Sequence, residues 1–466
     1  MTGPEWAFKK KTMEKALQYA ESNKKAFLEG LKGLLRYESL SADPAKKEPL
    51  LACARAEADH FRRIGLENVS LLETPGNPIV YGDWLHAPGK PTLLIYGHYD
   101  VQPADPFDLW KTPPFEGTEK EGWLYGRGAD DNKGQHFIHL CAIESYLKTV
   151  GKLPVNVKLI LEGEEEFGSK GSTEYIKENA KKLSCDAVMI SDTAWHSEEH
   201  PAIQYSLRGL TAMEVRFYGP ERDLHSGVYG GFAPNPLVVM TQVLGKLKDE
   251  NNHVTVPGFY DDVLPMDPKE REELSKIPWS DKDLLRQMGT SEMILEKGFS
   301  SLECNWFRPA MDINGIGGGY QGQGGKTVIP TYGFAKITIR LVANQDPEKI
   351  SKSVVDFIRA QTPSAIRVEF DLHGGERAFY IDPKDSYLQK TKKAFEKAFG
   401  KPFLLVREGA SIPLVAVIQR VLKTPVVLAG IGLPDDCIHS PNEKLSLANF
   451  YGGIRAAIHA YQEYAE

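Results

Sequence analysis

The chain is poor in cysteine. Five residues, at positions 53, 141, 185, 304 and 437, are scattered through 466, and none forms a C-x-x-C pair. An odd, dispersed set argues against a disulfide framework and fits free thiols in a reducing compartment. No apolar run approaches the roughly 20 residues of a membrane-spanning helix. A basic block is also missing. The 56 Lys and Arg against 63 Asp and Glu leave a formal net charge of -7, which disfavours nucleic acid or an anionic membrane as the main partner. The opening MTGPEWAFKKK carries charge but leads into no apolar segment, so no secretory signal is expected and the cytoplasm is the expected location. Two catalytic devices are absent as well. There is no G-x-S-x-G nucleophile elbow. The glycine-rich stretch 315–325, before Lys326 and Thr327, has Tyr320 where a phosphate loop needs glycine.

What is present is a globular composition, 41% hydrophobic and 26% charged, in a chain long enough for two or more domains. Helical patterning covers residues 12–37 and 52–64, and a strand follows at 77–81. PTLLIYGHYD reads as a buried strand ending at His98 and Asp100. Residues 101–126, rich in Pro and Gly, read as a loop, and 132–150 as a helix. VNVKLILEG is a second buried strand that runs into Glu164, Glu165 and Glu166. A helix at 173–183 precedes AVMISD, a strand ending at Asp192. This alternation predicts an α/β domain, a mostly parallel sheet flanked by helices.

From residue 211 the pattern changes. TAMEVRFYG, a helix at 236–248, YGFAKITIRLVA, a helix opened by Asp346 and Pro347, and AIRVEFDLH give the order β-α-β-β-α-β. That order predicts an inserted two-layer α+β domain. Segment 251–326 is an elaboration without a legible fold. After about residue 379 the α/β pattern returns, with helices at 386–399 and 413–421, the strand TPVVLAG and a final helix. The expected division is 1–208, 209–379 and 380–466, with the middle piece inserted into the first.

Five metal-compatible side chains punctuate this plan: His98, Asp131, Glu166, Asp192 and His439. The first four lie at or just beyond the carboxyl end of a strand, or in the loop after it, where open α/β sheets bind ligands. His and carboxylates without Cys suit a hydrolytic site for two divalent ions. Each residue also has a plainer reading. His98 could cap a strand, Asp130 and Asp131 could cap a helix, and Asp192 could simply start a loop. A surface loop would account equally for His439 and for the Glu-rich run 162–166. The patterns beyond single residues favour the metal. His98 and Asp100 are two apart on a strand and share a face, so one carboxylate can fix the imidazole tautomer. Adjacent Glu165 and Glu166 suit two tasks, one to bind metal and one to take a proton from the attacking water.

Together GHYDVQP, WKTPPF, LYGRGADDNKG, LEGEEEFGS, ISD, RDLHSGVYGG, KTVIP, ITIRLV, HGG, REGASIP and HSPNEK run in order from about residue 92 to 445. This set resembles the M20 family of di-metal peptidases, and the carnosine and cytosolic non-specific dipeptidase branch most of all. The resemblance implies two divalent ions, Zn or Mn, per subunit. Asp131 would bridge them, with His98 and Asp192 completing one ion and Glu166 and His439 the other. Glu165 would be the general base and Asp100 would orient His98. The middle piece, 209–379, would be a lid and dimerisation domain, and its His225 would reach the partner's active site in a homodimer and stabilise the oxyanion. Thr327, Arg340, His373 and Ser411 would contact a small peptide substrate, with Arg340 on its carboxylate. Dipeptide hydrolysis is the implied activity, and N-acyl-amino-acid deacylation the alternative. Asp130, at a variable position of the family, would add charge near the metals or cap the helix.

Overall fold

The computed structural model describes residues 4–466. It separates into two compact units. The first contains the residues up to Tyr205, Ile381–Val406 and Val417–Glu466, and the second Ser206–Tyr380 and Arg407–Ala416. Residues 407–416, part of the expected third segment, thus group with the inserted unit.

In the first unit, strand Thr92–His98 lies between Asn156–Glu162 and Ala187–Ile190, parallel to both, and Val426–Leu428 runs parallel to Ala187–Ile190. Ile79–Trp84 joins antiparallel to Asn156–Glu162. The three central strands are almost wholly buried. Strands covered on both faces read as continuous apolar runs, which is why TLLIY, VKLIL and AVMI were visible as strands. Helices Lys133–Val150 and Leu447–Tyr464 pack together, joined by Tyr146 Oη donating to the Ile458 carbonyl at 3.0 Å. Helix Lys47–Ile64 meets the sheet so closely that a Cβ at Gly82 would come within 2.9 Å of Phe61.

The second unit carries a four-stranded antiparallel sheet. Its spatial order is Ala310–Gly318, Tyr332–Leu341, Gly209–Tyr218, Arg367–Glu376. Burial alternates along Gly209–Tyr218, so Met213, Val215 and Phe217 face helices Pro236–Leu244 and Pro347–Gln361 with Val243, Ile350, Val354 and Ile358. The illegible segment 251–326 holds three short helices, Pro268–Leu274, Asp281–Met288 and Ser301–Trp306, and then the edge strand Ala310–Gly318. Helices of six to eight residues give too few turns for a readable period.

Candidate metal centre

Three neighbouring strands of the first unit deliver most of the candidate ligands. His98 is the last residue of its strand, Glu165 and Glu166 form a single 3-10 turn after Asn156–Glu162, and Asp192 lies two residues past Ala187–Ile190. Asp131 stands just before helix Lys133–Val150, and His439 comes from a late loop.

The structure brings these residues into two groups that share Asp131. His98 Nε2 lies 3.1 Å from Asp131 Oδ1 and 3.7 Å from Asp192 Oδ1. His439 Nε2 lies 2.9 Å from Asp131 Oδ2 and 3.1 Å from Glu166 Oε2. Each carboxylate oxygen of Asp131 therefore faces a different imidazole. The set fits metal on two counts. His98 Nε2 is buried without a directed hydrogen bond, beside the Asp131 and Asp192 oxygens with which it could share a cation. The donors are all nitrogen and oxygen, which suits Zn, Mn or a similar divalent ion.

The electrostatics agree. Burial would lower the pKa of His98, but Asp100, Asp131 and Asp192 outweigh it and hold it well above the ordinary imidazole value. Contacts with Asp131 and Glu166 push His439 up to about 10. Burial would raise Asp131, yet the His439 and His98 contacts hold it well below the usual carboxylate range. Burial pushes Glu165 up to about 9; His98 opposes this, while Asp192, Asp131 and Glu166 add to it. Burial also raises Glu166. A pocket holding more carboxylates than imidazoles is compensated best by added positive charge.

Asp100 meets His98 Nδ1 with both its backbone and its side chain. His98 Nδ1 lies 3.1 Å from the Asp100 backbone carbonyl, and the carboxylate oxygen is farther, at 3.4 Å. The Asp100 carboxylate also accepts the backbone N–H groups of Glu165 at 3.3 Å and Glu166 at 3.2 Å. It thus suspends the turn that carries both glutamates. Asp130 does not cap the helix: Asn132 holds the cap position without a side-chain cap bond. Asp130 is buried, with Oδ1 unpartnered, and burial together with Asp436 and Glu443 keeps its pKa well above the usual range.

Two residues without an expected role hold the centre together. Buried Glu443 accepts Arg127 Nη1 at 2.7 Å and the backbone N–H groups of Gly128, Asp130 and Asp131 at 2.9, 3.0 and 3.1 Å. Arg127 also donates to the carbonyls of Pro103 and Ser440. This pair ties the loop of Asp131 to the loop of His439. Their only sequence signal was membership of LYGRGADDNKG and HSPNEK.

In the second unit, His225 is exposed and its Nδ1 accepts the Gly227 N–H at 3.0 Å. Strand Leu224–His225 pairs with Val328–Ile329, and the Thr327 carbonyl accepts the Ser226 N–H, so His225 and Thr327 are neighbours. Arg340 Nη1 donates to Ser411 Oγ at 2.9 Å. Exposed His373 sits where strand Arg367–Glu376 shifts register, next to Gly374 at φ 75°.

Residues 94–463 match the profile described as Peptidase family M20/M25/M40. The chain belongs to this family. This M20 peptidase is 33% identical over 463 residues to the Cys-Gly metallodipeptidase dug1 of Schizosaccharomyces pombe, covering 96% of this chain and 97% of the relative. It is 30% identical over 471 residues to the human Beta-Ala-His dipeptidase, covering 97% and 93% of the two chains. Among solved structures, the M20 family metallo-carboxypeptidase Sso-CP2 of Sulfolobus solfataricus aligns with a TM-score of 0.82 at 30% identity, over 94% of this chain and 99% of that one. Among the described residues of the M20 peptidase, no helix is long and apolar enough to cross a membrane.

Proposed function

We propose that this M20 peptidase is a dipeptidase that hydrolyses the amide bond of free dipeptides with two divalent ions, Zn or Mn. The observation that carries the reading is the bridging posture of Asp131, with one carboxylate oxygen toward His98 and the other toward His439. The family relatives named as dipeptidases, matched over more than nine-tenths of each chain, support the substrate class.

When bound, the ions supply Lewis acidity and make water a nucleophile near neutral pH. His98 and Asp192 would hold one ion, Glu166 and His439 the other, and Asp131 both. Glu165 takes the proton of the attacking water and returns it to the leaving amine. Asp100 keeps the Glu165–Glu166 turn in place through its two backbone hydrogen bonds. Arg340 pairs with the substrate carboxylate, while Thr327, His373 and Ser411 position the rest. His225 reaches the partner's active site in a homodimer and stabilises the oxyanion there. The five free cysteines support a reducing, cytoplasmic setting.

The test is amino-acid release from a panel of free dipeptides beside matched N-acetyl amino acids, metal-stripped and with Zn or Mn restored. Metal-dependent cleavage of dipeptides is the expected result and ranks the two ions. Cleavage of the N-acetyl compounds alone overturns the proposal in favour of a deacylase.

A further inference from the structure

The side-chain amide of Asn132 is fully buried and bonded at both ends. Its Nδ2 donates to the Ser191 carbonyl and to Asp192 Oδ1, both at 2.6 Å. Its Oδ1 accepts the backbone N–H of His98 at 3.2 Å. One amide thus joins the ends of two parallel strands to the residue that follows the shared ligand Asp131. The approach is close. A Cβ at Gly97 would come within 2.9 Å of Asn132 Oδ1 and 2.6 Å of His136 Cβ, so only glycine at 97 lets the strand reach the amide.

The bonds are one-sided. The Asp192 oxygen that receives the Asn132 N–H is the same Oδ1 that lies 3.7 Å from His98 Nε2. Rotation of the Asp192 carboxylate away from His98 would break this bond. The Glu166 carboxylate is held separately, by Gln102 Nε2 at 2.9 Å.

We propose that Asn132 is a positioning residue for the ion of His98 and Asp192, and acts on that ion selectively. The inference rests on the two-ion reading above. Asn132 fixes the Asp192 rotamer and the height of His98, so the two ligands are set before metal arrives. Its removal leaves Asp192 free to swing, and metal binding must then restrict it. Hydrogen bonds from such an outer layer are typically worth about 10- to 100-fold in metal affinity or activity.

The test is a titration of metal-stripped protein with Zn²⁺ against a competing chromophoric chelator, for wild type, Asn132→Ala, His439→Ala and the double variant. His439→Ala identifies the step belonging to the His98–Asp192 ion, because that step survives. The expected result for Asn132→Ala is a loss of about 10- to 100-fold on that step, with the other step unchanged. The double variant should show the same loss on its surviving step. Asn132→Ser, which keeps more of the volume, should reproduce the selectivity, and melting of the metal-free proteins reports folding. Equal weakening of both steps, or no weakening, overturns the role of Asn132. A wild type that binds fewer than two ions overturns the two-ion reading itself.

Discussion

The two ligand groups meet at Asp131 but are built in opposite ways. On one side, His98 is fully buried at a strand end and Asp192 follows the neighbouring strand. On the other, Glu166 hangs from a short turn, and His439 sits on a loop with 52% of its side chain exposed. His439 has φ 58°, and Cys437 and Asn442 in the same loop are also left-handed, at 57° and 68°. Each such residue costs on the order of 1 kcal/mol, so the loop keeps its shape through outside contacts: the Arg127–Glu443 pair, and Asn442, which accepts the Lys111 N–H and donates to the Leu109 carbonyl. Strand ends inherit their positions from the sheet. The loop half depends on these tethers.

Removing the residue common to both halves should have the largest effect. Asp131→Ala is expected to abolish dipeptide turnover and reduce both ions after dialysis; retention of one ion at full occupancy would show that the halves are independent. Glu165→Ala should lower kcat by about 10²- to 10⁴-fold while metal content stays normal. Near-normal turnover would remove Glu165 from the role of base. Glu443→Ala breaks the buried pair, leaves Arg127 uncompensated and should cost about 3–5 kcal/mol of stability, read by denaturant unfolding. The same variant should weaken metal binding, and a stability loss below about 1 kcal/mol would mean that the loop needs no such anchor. His439→Ala, at an exposed position, should release one ion yet change metal-free stability by no more than about 0.5 kcal/mol. A large stability loss there would erase the contrast between the rigid half and the tethered half.

Much of the centre was legible before the structure. The apolar runs before His98, Glu162 and Asp192 marked buried strands, and polar residues just past them marked a ligand-binding edge. The edge strand Ala310–Gly318 was not legible: it is rich in glycine and carries polar residues among its apolar ones, and only its partner Tyr332–Leu341 gives it a register. Nor were Arg127 and Glu443, which are 316 positions apart in the chain; no local pattern encodes a contact at that distance.

The Glu-rich run marks the boundary between sequence and tertiary control. Sequence alone placed four carboxylates, at 162, 164, 165 and 166, at the end of a buried strand. Folding divided them. Glu162 accepts Tyr96 Oη and Ser169 Oγ, and Glu164 accepts the backbone N–H groups of Asn77 and Ser172. Those two carboxylates are occupied by the scaffold. Glu165 and Glu166 are held by their backbones to Asp100; the Glu166 carboxylate lies 3.1 Å from His439, and the buried Glu165 carboxyl feels the charges of His98, Asp192 and Asp131. Residue type and local periodicity determined the kind of chemistry and the strand ends that bear it. Tertiary structure decided which carboxylates were left to perform it, because that depends on hydrogen-bond donors brought in from distant parts of the chain.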